Sequence, residues 1–431
     1  MGKSHKEAQK AQKAFQLFCA FCASLWPFLL PVIAYAPALN NGFIADDYVI
    51  LQRIDLMKVQ PLYLFRVPPE NFRIVSYAVF GFLKSLAGYD ARFFYAVSIA
   101  IHVANVALFW RFLAFVLKDE FVSRTAAVLF AVFQAPQEAV MWLAAMNETT
   151  LAFFALMTLL MWWRKRYVIA AAAYAIALFS KESGFVILLL IALVELKQRQ
   201  WKPFRAYALL LIPTGIFVAI FLSTISANFM ITNHSYTLGP HAILVLLLTL
   251  HRLVWPWLYI ILVLVWLTRR TALVQQTLPR LPLYLACILV PMLPYMFIAY
   301  QRSLPSRQLY LCSAVLMAVF ALLLKPLEGT TLLRIFMIAF VGFNIGYLWI
   351  RKDAQFEDRA APTTQLIAAL GRYTPQPTLV LNFAYPYPDI ARAAALAAPG
   401  WRPDLILVNG PRERCEDCLK LTWNAREKRY E

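Results

Sequence analysis

The sequence predicts an α-helical polytopic membrane protein of about eleven transmembrane helices, with amphipathic helices on the outer face and a small C-terminal α/β module. Three observations carry this. Hydrophobic residues make up 61% of the 431 residues and charged residues only 15%, against ~25% in soluble domains. Apolar runs of ~17–25 residues recur along the chain, separated by short basic loops. Past residue 350 the pattern changes to short apolar runs in a polar background, as in strands buried between helices. The net charge of +18 excludes no membrane reading and supports no nucleic-acid one, because the basic residues mark loops and form no single stripe.

Lys3, Lys6, Lys10 and Lys13 precede the first apolar run, 15–38. The positive-inside rule places residues 1–14 in the cytoplasm, and the run is long enough to stay as a span rather than be cleaved as a signal. Residues 40–90 then form a long outer loop containing Pro61, Pro68 and Pro69. Within it, 72–86 is an amphipathic stretch expected to lie on the membrane with Arg73 and Lys84 reaching the headgroups. Further spans are expected at 91–117, 121–134, 146–163, 167–179, 184–196 and 206–224. A second outer loop covers 226–240, the stretch 241–252 reads as interfacial, and a span follows to 268. The last spans are 281–299, a run ending at Lys325, and 330–350. Lys and Arg concentrate in the segments this scheme puts inside, among them 164–166 and 197–205.

Eleven spans form a transmembrane domain over 15–350 and put the tail, 351–431, outside. In the tail, 378–383 and 404–409 read as buried strands, flanked by helical patterns over 353–373 and 389–398. Cys19, Cys22, Cys287 and Cys312 lie in apolar runs and read as small packed hydrophobes. Cys415 and Cys418 form a C-x-x-C that suits a local disulfide in an oxidising compartment.

The chemistry gathers at outer ends of spans. Asp46 and Asp47 stand directly after the first apolar run. Two adjacent carboxylates beside apolar surface do not titrate alike, and one of them can serve as a general base on a hydroxyl. The plainer reading is a solvated pair that ends a helix or binds a cation. Glu138, Asn147, Glu148, Lys181 and Glu182 also fall at outer ends, where ionisable residues face a cavity or each other. Helix-end solvation and local ion pairing are the plainer readings here. Arg302 and Arg307 flank Pro305, with Tyr310 one turn on, and guanidinium is suited to bidentate phosphate contacts. A simple lipid-headgroup clamp would use the same residues. His102 and His234 are lone histidines without a ligand pattern, and the chain has no P-loop, dinucleotide or H-E-x-x-H motif.

Several of these stretches come in a fixed order. They are Gly42-Phe43-Ile44-Ala45-Asp46-Asp47-Tyr48, Phe72-Arg73-Ile74-Val75-Ser76-Tyr77, His102-Val103-Ala104-Asn105, Pro136-Gln137-Glu138-Ala139-Val140, Phe179-Ser180-Lys181-Glu182-Ser183-Gly184 and Arg307-Gln308-Leu309-Tyr310-Leu311. The ordered set, covering about 40–325, resembles the GT-C superfamily of membrane glycosyltransferases, nearest the protein O-mannosyltransferase and TMTC-type branch. The resemblance implies a polyprenyl-phosphate-linked sugar donor and an outer-face site. Asp46 matches the leading acidic position and Asp47 the second. The chain departs from the TMTC-type pattern at Met146-Asn147-Glu148, where that branch has Arg-Ala-Asp, and it has no tetratricopeptide repeats.

The mechanism this implies is inverting transfer to an acceptor hydroxyl on a glycan, lipid or protein. Asp46, assisted by Asp47, takes the proton, while Lys181, Arg302 and Arg307 stabilise the departing phosphate. Glu138, Asn147, Glu148, Glu182 and Tyr310 are expected to line the cavity. No cofactor is required, and a divalent metal bridging Asp47 and the phosphate is compatible with the chemistry. The expected location is a bacterial inner membrane with the site on the periplasmic face. The competing class is a transporter or flippase of a lipid-linked or anionic substrate. Inverted repeats, which would favour it, are not visible.

Overall fold

The computed structural model describes residues 26–60, 73–199, 201–227, 229–268, 278–298, 302–409 and 417–431. Several expectations lie outside the described residues: the N-terminal lysines, Cys19 and Cys22 with the start of the first apolar run, Pro61, Pro68, Pro69, the 269–277 loop and Cys415.

Residues 26–35 are helical and continue into a 3-10 turn, Ala36–Asn40. Next come α1 (Asp46–Val59), α2 (Ile74–Ala87), α3 (Ala91–Leu117), α4 (Glu120–Val132) and α5 (Met146–Trp163). They are followed by α6 (Tyr167–Ser180), α7 (Val186–Gln198), α8 (Phe204–Thr224), α9 (His241–Val254) and α10 (Trp257–Leu267). The membrane part ends with α11 (Leu281–Leu289), α12 (Tyr310–Leu324) and α13 (Thr331–Gly346).

The expectation of eleven spans is not met. Among the described residues, five helical segments are long and apolar enough to cross a membrane: Ala91–Leu117, Leu143–Trp163, Phe204–Ser223, Ser306–Leu327 and Thr331–Leu370. A sixth results if α9 and α10, bent by 55° at Trp255-Pro256, count as one. A spanning helix needs ~20 residues. Helices α4, α6 and α7 have 13, 14 and 13, and α11 has 9. The sequence of α4 is apolar because most of its residues are enclosed by protein, which hydropathy cannot separate from a lipid-facing surface. The bend also changes the reading of 241–252, which is one arm of the bent pair.

Burial separates centre from rim. The Ser306–Leu327 segment is 83% buried and lies at the centre, beside α4, α5 and α10. The Phe204–Ser223 segment is only 22% buried and exposes Leu211, Ile212, Ile216 and Leu222. Ile243, Leu244, Leu247, Ile335 and Ile338 extend this exposed apolar surface on α9 and α13.

The expected amphipathic stretch is helical over Ile74–Ala87, but its cations do not reach outward. Lys84 is 8% exposed and donates to Leu51 O at 2.8 Å, Asp55 Oδ2 at 2.5 Å and the Tyr89 hydroxyl at 3.0 Å. Arg73 turns inward to Glu182.

Helix α13 does not stop at 350. It passes through a π-turn, Tyr347–Lys352, into α14 (Asp353–Leu370). The tail continues with β1 (Thr378–Leu381), α15 (Pro388–Ala395), β2 (Ile406–Val408), β3 (Leu419–Asn424) and β4 (Arg429–Tyr430). The sheet order is β2-β1-β3-β4. The central β1 pairs parallel with both neighbours, Val380 opposite Val408 and Leu421, and β3 pairs antiparallel with β4. The two strands read from sequence are present, and β3 and β4 join them. Cys418 is disulfide-bonded.

The tail is fastened to the Asp-bearing segment. Helix α15 packs on both α1 and α14. Thr363 Oγ1 donates to Phe43 O at 3.2 Å. Gly42 permits this approach, because a Cβ there would stand 2.4 Å from Thr364 Oγ1.

Candidate functional site

The two adjacent aspartates have different surroundings. Helix α1 begins at Asp46 behind Ala45, whose φ of +42° is rarely adopted by an L-residue. The turn points Asp47 inward, where it is 3% exposed. Its Oδ2 accepts the Ile44 N–H at 2.8 Å and its Oδ1 accepts the Ala144 N–H at 2.6 Å. Burial pushes the Asp47 carboxyl up to about 7, even though both amides favour its charged form. Asp46 points outward and is exposed. Its side chain makes no hydrogen bond or ion pair among the described residues. The surrounding protein raises its carboxyl above the ordinary value, against the pull of Arg307, Arg359 and Arg53.

Beside Asp46 lies a cationic cluster around Glu138. The turn that carries Glu138 is set by Ser306, whose hydroxyl donates to Ala135 O and accepts from the Gln137 side-chain NH2 at 2.7 Å. Glu138 divides its carboxylate between two arginines: Oε2 lies 3.4 Å from Arg307 Nη1 and Oε1 lies 3.3 Å from Arg359 Nη1. Both guanidiniums sit near the Trp142 ring, at 4.8 Å for Arg307 and 4.6 Å for Arg359. Glu138 also acts electrostatically on Arg252 and Lys352. Arg252 Nη2 itself donates to Leu304 O at 2.6 Å.

A second cluster is internally neutral. Lys181 pairs with Glu148, their side chains 6% and 5% exposed. Arg73 grips Glu182 with two hydrogen bonds, Nε to Oε2 at 2.9 Å and Nη2 to Oε1 at 2.7 Å. Burial raises the Glu182 carboxyl, but the Arg73 guanidinium pulls it down to about 2. The Tyr295 hydroxyl donates to Ser183 Oγ at 2.7 Å, and Lys181 Nζ stands 5.0 Å from the Tyr295 ring. Gly184 closes this turn against the end of α6, where a Cβ would be 2.7 Å from Leu178 Cα.

The structure therefore brings Asp46, Glu138 and Arg307 into one cluster, and Glu148, Lys181 and Glu182 into another. Asn147 is 5% exposed, and its Oδ1 has no partner among the described residues. Arg302 is exposed and joins neither cluster through a hydrogen bond or ion pair among the described residues. Tyr310 is interior: its hydroxyl meets His102 Nδ1 at 2.5 Å and accepts Asn105 Nδ2 at 3.0 Å. At the far end of α12, Lys325 pairs with Asp119 at 3.1 Å.

Metal fits this arrangement poorly. Among the described residues no three His, Cys, Asp or Glu side chains converge, and both Asp47 oxygens are engaged by amides.

Sequence reasoning missed Arg359, Arg53, Arg252, Trp142 and Tyr295. One signal was available for Arg359. It follows Lys352 by seven residues, so a helix continuing past the last span puts both on one face. The chain matches no protein-family model and no curated protein.

Proposed function

We propose that this protein is an inverting glycosyltransferase that moves a sugar from a polyprenyl-phosphate donor to an acceptor hydroxyl at the membrane surface. The observation that carries this reading is Asp46, an exposed carboxylate without a direct partner among the described residues, facing Arg53, Arg307 and Arg359 at one end of an apolar bundle. A base needs a carboxylate that is not already consumed by hydrogen bonds, and Asp47 is consumed.

In the reaction, Asp46 accepts the proton of the acceptor hydroxyl. The hydroxyl oxygen forms a bond to the anomeric carbon as the bond from that carbon to the phosphate oxygen breaks, and the electron pair leaves on the phosphate. Attack opposite the leaving group inverts the configuration. Arg307 is placed to stabilise the departing charge. Lys181 was expected to share this role, but its charge is compensated by Glu148 in the described arrangement. Asp47 supports Asp46 by fixing the start of α1. The apolar surface of α8, α9 and α13 suits a donor whose chain stays in lipid.

The test is transfer from a panel of radiolabelled polyprenyl-phosphate sugars in reconstituted vesicles, for wild type and Asp46→Asn. Donor-dependent transfer that vanishes in folded Asp46→Asn supports the reading. Undiminished transfer in Asp46→Asn removes the base assignment. Lipid movement across the bilayer without sugar transfer supports the transporter reading instead.

A further inference from the structure

We infer that Arg359, carried by the tail, is one jaw of a two-guanidinium clamp for the phosphate of an isoprenyl-phosphate ligand, so that the C-terminal module completes the binding site. The inference rests on the glycosyltransferase reading and adds to it a residue from beyond the last span.

Charge balance is the first argument. Arg53, Arg252, Arg307, Lys352 and Arg359 surround Asp46, Asp47 and Glu138. Among the described residues, these five cations face three carboxylates, and Asp47 is already tied to two amides. Such a surplus in a partly desolvated setting is relieved by an anion.

Geometry is the second. Arg307 and Arg359 share a single carboxylate through long contacts of 3.4 and 3.3 Å, one nitrogen each. That leaves most of their N–H donors free of Glu138. Contrast Arg73, whose two short hydrogen bonds satisfy Glu182 as a fork. The side chains of Arg307 and Arg359 are 28% and 29% exposed, so a ligand can reach them. Both guanidiniums also stand against the Trp142 ring, 4.8 and 4.6 Å from its centre. Two guanidiniums gathered on one carboxylate suit the oxygens of a phosphate.

Anchoring is the third. Arg359 is placed by hydrogen bonds that tie α14 to the rest of the tail and to the segment bearing Asp46. The Tyr385 hydroxyl donates to Arg359 O, Thr363 donates to Phe43 O, and the Tyr430 hydroxyl donates to Pro362 O at 3.0 Å. The sheet and α15 therefore hold α14 against the segment that bears Asp46.

The experiment measures direct binding of farnesyl phosphate to the full-length protein in detergent, with inorganic phosphate as the comparison probe. Wild type is expected to bind farnesyl phosphate more tightly than inorganic phosphate. Arg359→Gln is expected to weaken farnesyl phosphate binding on the order of tenfold or more, as for loss of charge-assisted hydrogen bonds. Arg359→Lys keeps the charge, loses the fork, and is expected to fall between; it carries the test if Arg359→Gln does not fold. Thermal stability is followed for both variants, since a purely structural Arg359 would lower the melting temperature and leave the affinity of the folded protein unchanged. Wild-type affinity in folded Arg359→Gln or Arg359→Lys overturns the clamp, as does absence of farnesyl phosphate binding to wild type. Equal affinity for inorganic phosphate overturns the isoprenyl assignment. Asp46→Asn is expected to bind farnesyl phosphate and lack transfer, so failure of the base and failure of the clamp appear in different assays.

Discussion

The Asp47 carboxylate joins two turns of the chain: one oxygen accepts the Ile44 N–H at 2.8 Å, the other the Ala144 N–H at 2.6 Å. Its neighbour Asp46 takes part in neither contact. In Asp47→Asn the new NH2 must face one of those amides, leaving a buried N–H unpaired at a cost of about 1–3 kcal/mol. Asp47→Asn is therefore expected to lower the melting temperature in detergent, while the exposed Asp46→Asn keeps it. Equal melting temperatures would remove the structural role of Asp47.

Activity should show an acid limb governed by Asp46. The surrounding protein partly desolvates the exposed Asp46 carboxyl and raises it above the ordinary 3.8, while Arg307, Arg359 and Arg53 oppose the rise. The base works when deprotonated, so the rate falls as pH drops through that raised value. Arg53→Gln removes one opposing cation and should move the limb to higher pH. A limb that stays in place or moves to lower pH would separate Asp46 from the proton transfer.

Lys181 and Glu148 form a buried pair, and breaking one partner of such a pair costs ~3–5 kcal/mol. Lys181→Met and Glu148→Gln are each expected to destabilise strongly, and Lys181→Met with Glu148→Leu less than either. A melting series measures this. If the double variant retains transfer, Lys181 has no part in holding the donor.

Gly184→Ala is expected to be among the more damaging single-methyl additions. The added Cβ meets backbone atoms of Leu178 at 2.7 and 2.9 Å, and no side chain can swing aside. Overpacking of this kind costs about 1–3 kcal/mol. Expression and melting temperature of the variant check it, with unchanged values counting against the described turn.

Tyr310→Phe removes the partner of His102 Nδ1, while Asn105 Nδ2 keeps its bond to Thr149 O at 2.9 Å. The expected result is a loss of about 1–3 kcal/mol of stability with the donor KM unchanged. A raised KM with unchanged stability would return Tyr310 to the substrate cavity.

Much of the site's cast was legible because charges are rare in this chain. Asp46, Asp47, Glu138, Glu148, Lys181, Glu182 and Arg307 stand out against apolar flanks, and in a medium hostile to isolated charge they must meet partners or a ligand. Their partners were not legible. Arg73 and Lys84 look like headgroup contacts in an amphipathic stretch, yet one closes on Glu182 and the other on Asp55. Pairings between distant positions depend on how helices cross, and no local periodicity records that.

By itself the sequence determined that this is a largely apolar helical chain with several membrane-length segments, acidic and basic residues at their ends, and a small tail with two strands read at 378–383 and 404–409. Hydropathy and periodicity act over neighbouring residues, so these features survive without a fold. The tertiary structure alone decided the rest. It showed that α4, α6, α7 and α11 are too short to span and that α4 is apolar because protein encloses it. It gave two identical aspartates opposite surroundings, and it carried Arg359 from the tail to Glu138. A side chain's solvation and its partners are properties of what packs around it, and that is fixed only when distant segments come together.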